Sequence, residues 1–208
     1  MIKVIVVDDH PVVRRGLKQI IEGEPDMQVA GEAKNAGECL SLVRKMEYSL
    51  VLLDIALPDK SGFEVLKQLQ HERPGLPVLI LSVHPENHYA VRCIKAGASG
   101  YLMKEGAPEE LVKAIRKVNA GGKYVSASLA ERLASHLYTP NELPHENLSD
   151  REFQILRLIA GGKSLKDIAD ELCISEKTVS TYRSRIMEKM KMSTNSDLTR
   201  YALDNHLV

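Results

Sequence analysis

The chain has 208 residues, with 28 Lys and Arg against 28 Asp and Glu, so its formal net charge is zero. At roughly 150 residues per domain this length suits one large domain or two small ones, each able to bury its own core; the 44 % apolar and 27 % charged content is ordinary for a globular protein, and the balanced charge means that any basic surface has to be sought locally. Three scattered cysteines, Cys39, Cys93 and Cys173, exclude a zinc motif and argue against a disulfide framework, and no apolar stretch reaches the ~20 residues of a membrane span, so a cytoplasmic protein that does not enter the membrane is expected.

From Ile2 to about Gly122, short apolar runs alternate with segments of helical period. The runs are Val4–Val7, Gln28–Gly31, Leu50–Leu53, Val78–Leu81 and Gly100–Met103. The first and third are apolar at every position, as strands covered by helices on both faces must be. Between them, Val12–Ile21, Glu38–Met46, Gly62–Leu69, Tyr89–Ala96 and Glu109–Val118 repeat apolar residues at three- and four-residue spacing, which predicts amphipathic helices. Five such β/α units imply a doubly wound, five-stranded parallel sheet with right-handed crossovers over residues 1–122.

Residues 123–147 read as a linker: a connecting helix over Ser126–Tyr138, striped by Leu129, Leu133 and Leu137, then an aperiodic stretch, Thr139–Asn147, with two prolines. Over 148–208 the strand signal disappears. Ser149 with Glu152 has capping-box spacing and opens a helix to about Ala160. Ser164 can cap Leu165–Leu172, and Ser175 a longer helix to about Met192. After a break at Ser193–Asn195, Ser196–Asn205 is the last helix of a small all-α domain.

In an open parallel sheet, ligands bind beyond the carboxyl ends of the strands where strand order reverses. If the order is 2-1-3-4-5, Asp8 and Asp9 after the first strand and Asp54 after the third converge there, with Ser82 and Lys104 ending the fourth and fifth. Each residue alone has a plain explanation: a carboxylate as helix cap, a serine likewise, a lysine as solvated charge. The set is the signal. Three hard oxygen donors in one crevice suit Mg²⁺. A carboxylate can also act as a nucleophile toward phosphorus, Lys104 can neutralise the charge that develops, and the Ser82 hydroxyl can bond a phosphate oxygen. His84 and His88, four apart without a third ligand, read as surface histidines.

The predicted helix after Ser175 carries Lys177, Arg183, Arg185, Lys189 and Lys191 against Glu176 and Glu188. With the preceding helix and short break it has the form of a helix-turn-helix, whose second helix enters the major groove. Val179, Ile186 and Met190 would face inward, while Lys177, Ser180, Thr181 and Ser184 lie largely opposite. A basic helix face is more often plain solvated surface than a nucleic-acid contact, so charge alone does not decide.

Two resemblances sharpen these readings. Val-Asp8-Asp9-His, Leu-Leu-Asp54-Ile-Ala-Leu-Pro58, Ile-Leu-Ser82 and Gly-Tyr101-Leu-Met-Lys104 resemble the signature segments of receiver domains, with the flavodoxin-like fold this implies. Leu-Ser-Asp-Arg151-Glu152, Ile168-Ala-Asp-Glu-Leu-Cys-Ile-Ser-Glu-Lys-Thr178-Val179 and Arg-Ser-Arg-Ile resemble the LuxR-type DNA-binding domain. Together they resemble the NarL/FixJ family of transcription regulators. The resemblance implies that Asp54 is the phosphoacceptor, that Asp8, Asp9, Asp54 and the Ala56 carbonyl hold Mg²⁺, that Ser82 and Lys104 bind the phosphoryl group, and that Tyr101 is a switch. It implies DNA contacts by Lys177, Ser180, Thr181, Arg183, Ser184 and Arg185, a sensor histidine kinase as phosphodonor, and a homodimer on double-stranded DNA. Val83, and Ser180 and Tyr182 in the basic helix, depart from the common pattern.

The expected protein is thus a phosphorylation-switched transcription regulator without turnover. Two rivals stand beside it: a DNA-binding regulator indifferent to phosphorylation, with a vestigial receiver, and a Mg²⁺-dependent phosphatase. The latter commonly needs a second acid two residues beyond the nucleophile, where this chain has Ala56.

Overall fold

The computed structural model describes residues 1–83, 88–104, 106, 108–138, 143–205 and 207–208; for 88–89, 135–138, 146 and 150 it describes the backbone alone. His84, and the side chains of His88 and Leu137, therefore lie outside the described residues, as does the stretch 139–142 of the expected linker. The chain folds into two compact units, Met1–Ser135 and His136–Val208. No described helix is long and apolar enough to cross a membrane.

The first unit alternates β1 (Ile2–Val7), α1 (Pro11–Glu22), β2 (Met27–Ala33), α2 (Ala36–Lys45), β3 (Leu50–Asp54), α3 (Gly62–Glu72), β4 (Val78–Ser82), α4 (His88–Lys95), β5 (Gly100–Met103) and α5 (Pro108–Asn119), and α6 (Ala127–Tyr138) follows. The five strands form one sheet of order β2-β1-β3-β4-β5 with every pairing parallel. Every residue of β3 and β4 is buried, the burial that their continuous apolar runs require; each such Val, Leu or Ile contributes about 1.5–3 kcal/mol. Strand order reverses between β1 and β3, so the C-terminal ends of these neighbours open into one crevice.

The edge strand β5 does not end the hydrogen bonding. Beyond α5 the chain returns alongside it: the Tyr124 amide donates to the Ser99 carbonyl at 2.9 Å, the Tyr101 amide donates to the Tyr124 carbonyl at 3.1 Å, and Gly100 and Tyr124 form a parallel bridge. A Cβ at Gly100 would lie 2.6 Å from that Tyr124 carbonyl oxygen, so the close approach depends on glycine.

In the second unit, a 3₁₀ turn (Pro144–Asn147) precedes α7 (Asp150–Ala160), α8 (Leu165–Glu171), α9 (Glu176–Met190) and α10 (Asn195–Asp204). Ser149, Ser164 and Ser175 cap the first three as their spacing predicts, the first two in full capping boxes. A further box, Thr194 with Asp197, starts α10 one residue earlier than expected. The helix α9 ends at Met190 rather than near Met192, because Lys191 takes a left-handed conformation with φ of 54°. The core gathers Phe153, Ile155, Leu156, Ile168, Val179, Ile186 and Leu198. Part of the aperiodic stretch belongs to this core as well. His145 is fully buried, with Nδ1 2.8 Å from the Tyr201 hydroxyl and its ring 5.8 Å from that of Phe153.

Candidate functional site

The sheet carries Asp8 and Asp54 to the C-terminal ends of the adjacent strands β1 and β3, where both are buried. Lys104, just past β5, reaches back to them. Its Nζ donates to Asp54 Oδ2 at 2.7 Å and stands 2.6 Å from Asp8 Oδ2. Its own amide donates to the Ser82 carbonyl at 2.8 Å, which fixes the β4 and β5 ends to each other. Ser82 is fully buried at the end of β4, and Tyr101 is fully buried within β5. The Ala56 amide donates to Asp54 Oδ1 at 3.2 Å, turning the chain directly after the strand.

Burial pushes the Asp54 carboxyl above the usual carboxylate range; Lys104 and the Ala56 amide offset only part of this. For Lys104 the balance is reversed. Burial pulls its ammonium down, but the hydrogen bond to Asp54 and the close contact with Asp8 outweigh that and hold it above the ordinary lysine value. One largely buried ammonium is thus shared between two buried carboxyl groups.

The oxygen donors of Asp8, Asp9 and Asp54, together with a His10 ring nitrogen, all lie within 4.8 Å of one another. Asp8 Oδ2 and Asp9 Oδ1 are buried yet meet no aligned hydrogen-bond donor among the described residues; the Lys104 contact to the former is a close ion pair rather than a directed bond. One six-coordinate ion with bonds of about 2.1 Å spreads opposite ligands about 4.2 Å apart, so these donors would close by a few tenths of an ångström around a single small divalent cation.

Two residues of the following loop hold the pocket in shape. A Cβ on Gly62 would lie 2.3 Å from the Asp54 carbonyl oxygen, so the start of α3 can sit against the end of β3 only as glycine. The Gly62 amide donates to the Ile55 carbonyl at 2.9 Å across that contact. Asp59 accepts from the Ala36 and Gly37 amides at 2.9 and 3.1 Å and so ties the loop to the start of α2. Burial raises its carboxyl, but the amide hydrogen bonds prevail and hold it below the usual range. Asp59 and His10 were not picked out from sequence: one acts on backbone 22 residues away, the other stands between carboxylates that already explained the pattern.

In the second unit the inward stripe of α9 is Val179, Ile186 and Met190, all buried. Lys177, Ser180, Thr181, Ser184 and Arg185 are exposed. Thr181 and Ser184 hydroxyls donate to the Lys177 and Ser180 carbonyls at 3.0 and 3.1 Å. Arg183 is half-buried, and its Nε donates to Asn195 Oδ1 at 2.6 Å. The charge count along α9 overstates the free cations, since Lys189 donates to the buried Glu152 at 2.7 Å. Burial pushes the Glu152 carboxyl upward, but Lys189 and Ser149 outweigh it and hold it below the ordinary glutamate value.

Comparison with known proteins joins these two sites. Residues 4–116 match the family model of the response regulator receiver domain, and residues 146–202 that of bacterial regulatory proteins of the luxR family. The chain is 38 % identical to the response regulator GacA of Pseudomonas aeruginosa, over 100 % of this chain and 98 % of the relative. It is 34 % identical to the response regulator UvrY of Escherichia coli, over 100 % and 96 %. Among solved structures, RcsB of Salmonella enterica serovar Typhimurium, bound to the promoter rprA in the presence of the phosphomimetic BeF₃⁻, is 26 % identical with a TM-score of 0.65, over 96 % of this chain and 97 % of that one. With both of its units matched and relatives alike from end to end, the chain belongs to the NarL/FixJ family of two-component transcriptional response regulators, in which a receiver domain is followed by a LuxR-type helix-turn-helix domain.

Proposed function

We propose that residues 1–122 act as a receiver phosphorylated on Asp54 by a sensor histidine kinase, and that residues 148–208 read double-stranded DNA under its control, in the cytoplasm and without turnover of a substrate. The observation that carries this reading is the shared contact of Lys104 with Asp54 and Asp8, at 2.7 and 2.6 Å, at the point where strand order reverses. An Asp54 carboxylate oxygen attacks phosphorus, and the phosphohistidine nitrogen leaves. Lys104 balances the charge that gathers on the transferred group, and the Ser82 hydroxyl donates to one of its oxygens. Asp8, Asp9, Asp54 and the Ala56 carbonyl would hold Mg²⁺, which supplies further charge neutralisation there.

The movement of Ser82 toward the phosphoryl group makes room for Tyr101 to turn, which biases a two-state surface. The chain then binds as a homodimer, whose two α9 helices enter successive major grooves about one DNA turn apart. Lys177, Ser180, Thr181, Arg183, Ser184 and Arg185 supply phosphate and base contacts. Labelling with acetyl phosphate tests the first step: Asp54→Ala abolishes it, and persistent labelling would remove Asp54 as acceptor. DNA affinity with and without beryllofluoride tests the second; an unchanged affinity favours the regulator that ignores phosphorylation. Release of phosphate from small phosphoesters at a steady rate would favour the enzyme instead.

A further inference from the structure

His10 lies at the mouth of the acidic pocket, and its backbone has little freedom. Its amide donates to Asp8 Oδ1 at 2.8 Å, its carbonyl accepts from the Arg14 amide at 3.1 Å, and Pro11 behind it restricts it to the extended conformation found, with φ −87° and ψ 111°. As the N-cap of α1 it makes no side-chain capping hydrogen bond, so the ring is not needed to start the helix. The imidazole instead turns toward the carboxylates. Its Nδ1 stands 2.7 Å from Asp9 Oδ1 and makes a hydrogen bond of 3.2 Å to Asp8 Oδ1, a bond that a metal-bound nitrogen would give up. Asp9 Oδ1 is not aligned with that nitrogen as a hydrogen-bond acceptor. Neighbouring donors on one octahedral ion with bonds of about 2.1 Å stand about 3 Å apart, so each of the two oxygens stands from Nδ1 as one ligand stands from the next.

We infer that His10 is a nitrogen ligand of the pocket cation, and that this receiver binds later first-row divalent ions, with Co²⁺ as the probe, more tightly than an all-oxygen pocket does. The inference rests on the reading of the acidic pocket as a cation site. Carboxylate and carbonyl oxygens suit Mg²⁺, whereas an imidazole nitrogen favours ions further along the Irving–Williams series and adds little for Mg²⁺. The ring is 65 % exposed, so its replacement leaves the core intact.

The full chain is titrated with CoCl₂ and, separately, with MgCl₂, and the cobalt-loaded protein is examined by proton NMR. In the unsubstituted protein a strongly shifted, solvent-exchangeable imidazole N–H resonance is expected. His10→Phe removes that resonance and weakens Co²⁺ binding by at least about tenfold, the scale of a lost metal-site interaction. Its Mg²⁺ affinity changes by less than about threefold. Equal Co²⁺ affinities in the two proteins, or a shifted resonance that survives in His10→Phe, overturn the inference. Asp9→Asn separates the two readings. If it weakens both ions while His10→Phe weakens neither, the cation site stands and only the role of His10 fails. If it weakens neither, the pocket does not bind the cation and both fail.

Discussion

The acidic pocket and the basic helix solve opposite problems of placement. The pocket gathers Asp8, Asp54, Ser82 and Lys104 from the ends of four strands, so it exists only when the whole sheet is in register. Its carboxylates are buried, and the loss of solvent around the charged form raises the Asp54 carboxyl by more than the shared ammonium of Lys104 lowers it. The basic face of α9 comes from a single run of fifteen residues, open to water, and needs only one capped helix held by its inward stripe. A pocket of the first kind is sensitive to any change that moves a strand end, whereas a surface of the second kind loses its contacts one at a time.

Substitutions can break or sharpen that contrast, beginning with the largest effect. Gly62→Ala places a Cβ 2.3 Å from the Asp54 carbonyl oxygen, and a backbone atom cannot swing away. It is expected to destabilise the first unit by about 3 kcal/mol or more, beyond ordinary overpacking, while the unfolding of the second unit is unchanged. Separate unfolding transitions followed by hydrogen exchange resolve the two, and equal losses in both units would erase the distinction. Lys189→Ala leaves the buried Glu152 carboxylate with the Ser149 amide but no cation and should cost the second unit about 1–3 kcal/mol. The unfolding midpoint in urea measures it.

Asp54→Asn should act in the opposite direction. The raised Asp54 carboxyl binds its proton more readily folded than unfolded, so its ionised form opposes folding at neutral pH. That penalty fades as pH falls through the raised value toward the ordinary one. Removing the charge should therefore stabilise the first unit by on the order of 1 kcal/mol at pH 7, and thermal melts should show the gain shrinking with acidification. A gain that is constant with pH would mean that ionisation is not its source. The smallest effects belong to the exposed helix. Lys177→Ala should lower the slope of log affinity against log salt by about 0.9 for its lost phosphate contact, measured by fluorescence anisotropy on any duplex. Lys189→Ala should leave that slope unchanged, because its charge is already spent on Glu152; equal changes for the two lysines would refute the distinction between free and engaged cations.

Much of the molecule was legible because its signals are local. Apolar runs stopped by Asp8, Asp54 and Ser82 mark strand ends directly, and Ser149, Ser164 and Ser175 mark helix starts through caps that operate over three residues. What escaped depends on geometry that no period records. The partnership of Lys189 with Glu152 spans 37 positions, and that of His145 with Tyr201 spans 56. The end of α9 turns on a single left-handed lysine, in a conformation for which glycine is the usual signal. The His10 ring is placed beside the carboxylates by a following proline and a backbone hydrogen bond to Asp8, neither of which has a sequence period.

The return of the chain along β5 has a consequence for assembly. An exposed strand edge is a template on which another chain can grow a sheet. Here that template is taken by Ser99, Tyr101 and Tyr124 of the same molecule, and the missing side chain at Gly100 makes the fit close. A foreign strand could pair at this end of β5 only by first peeling Tyr124 away.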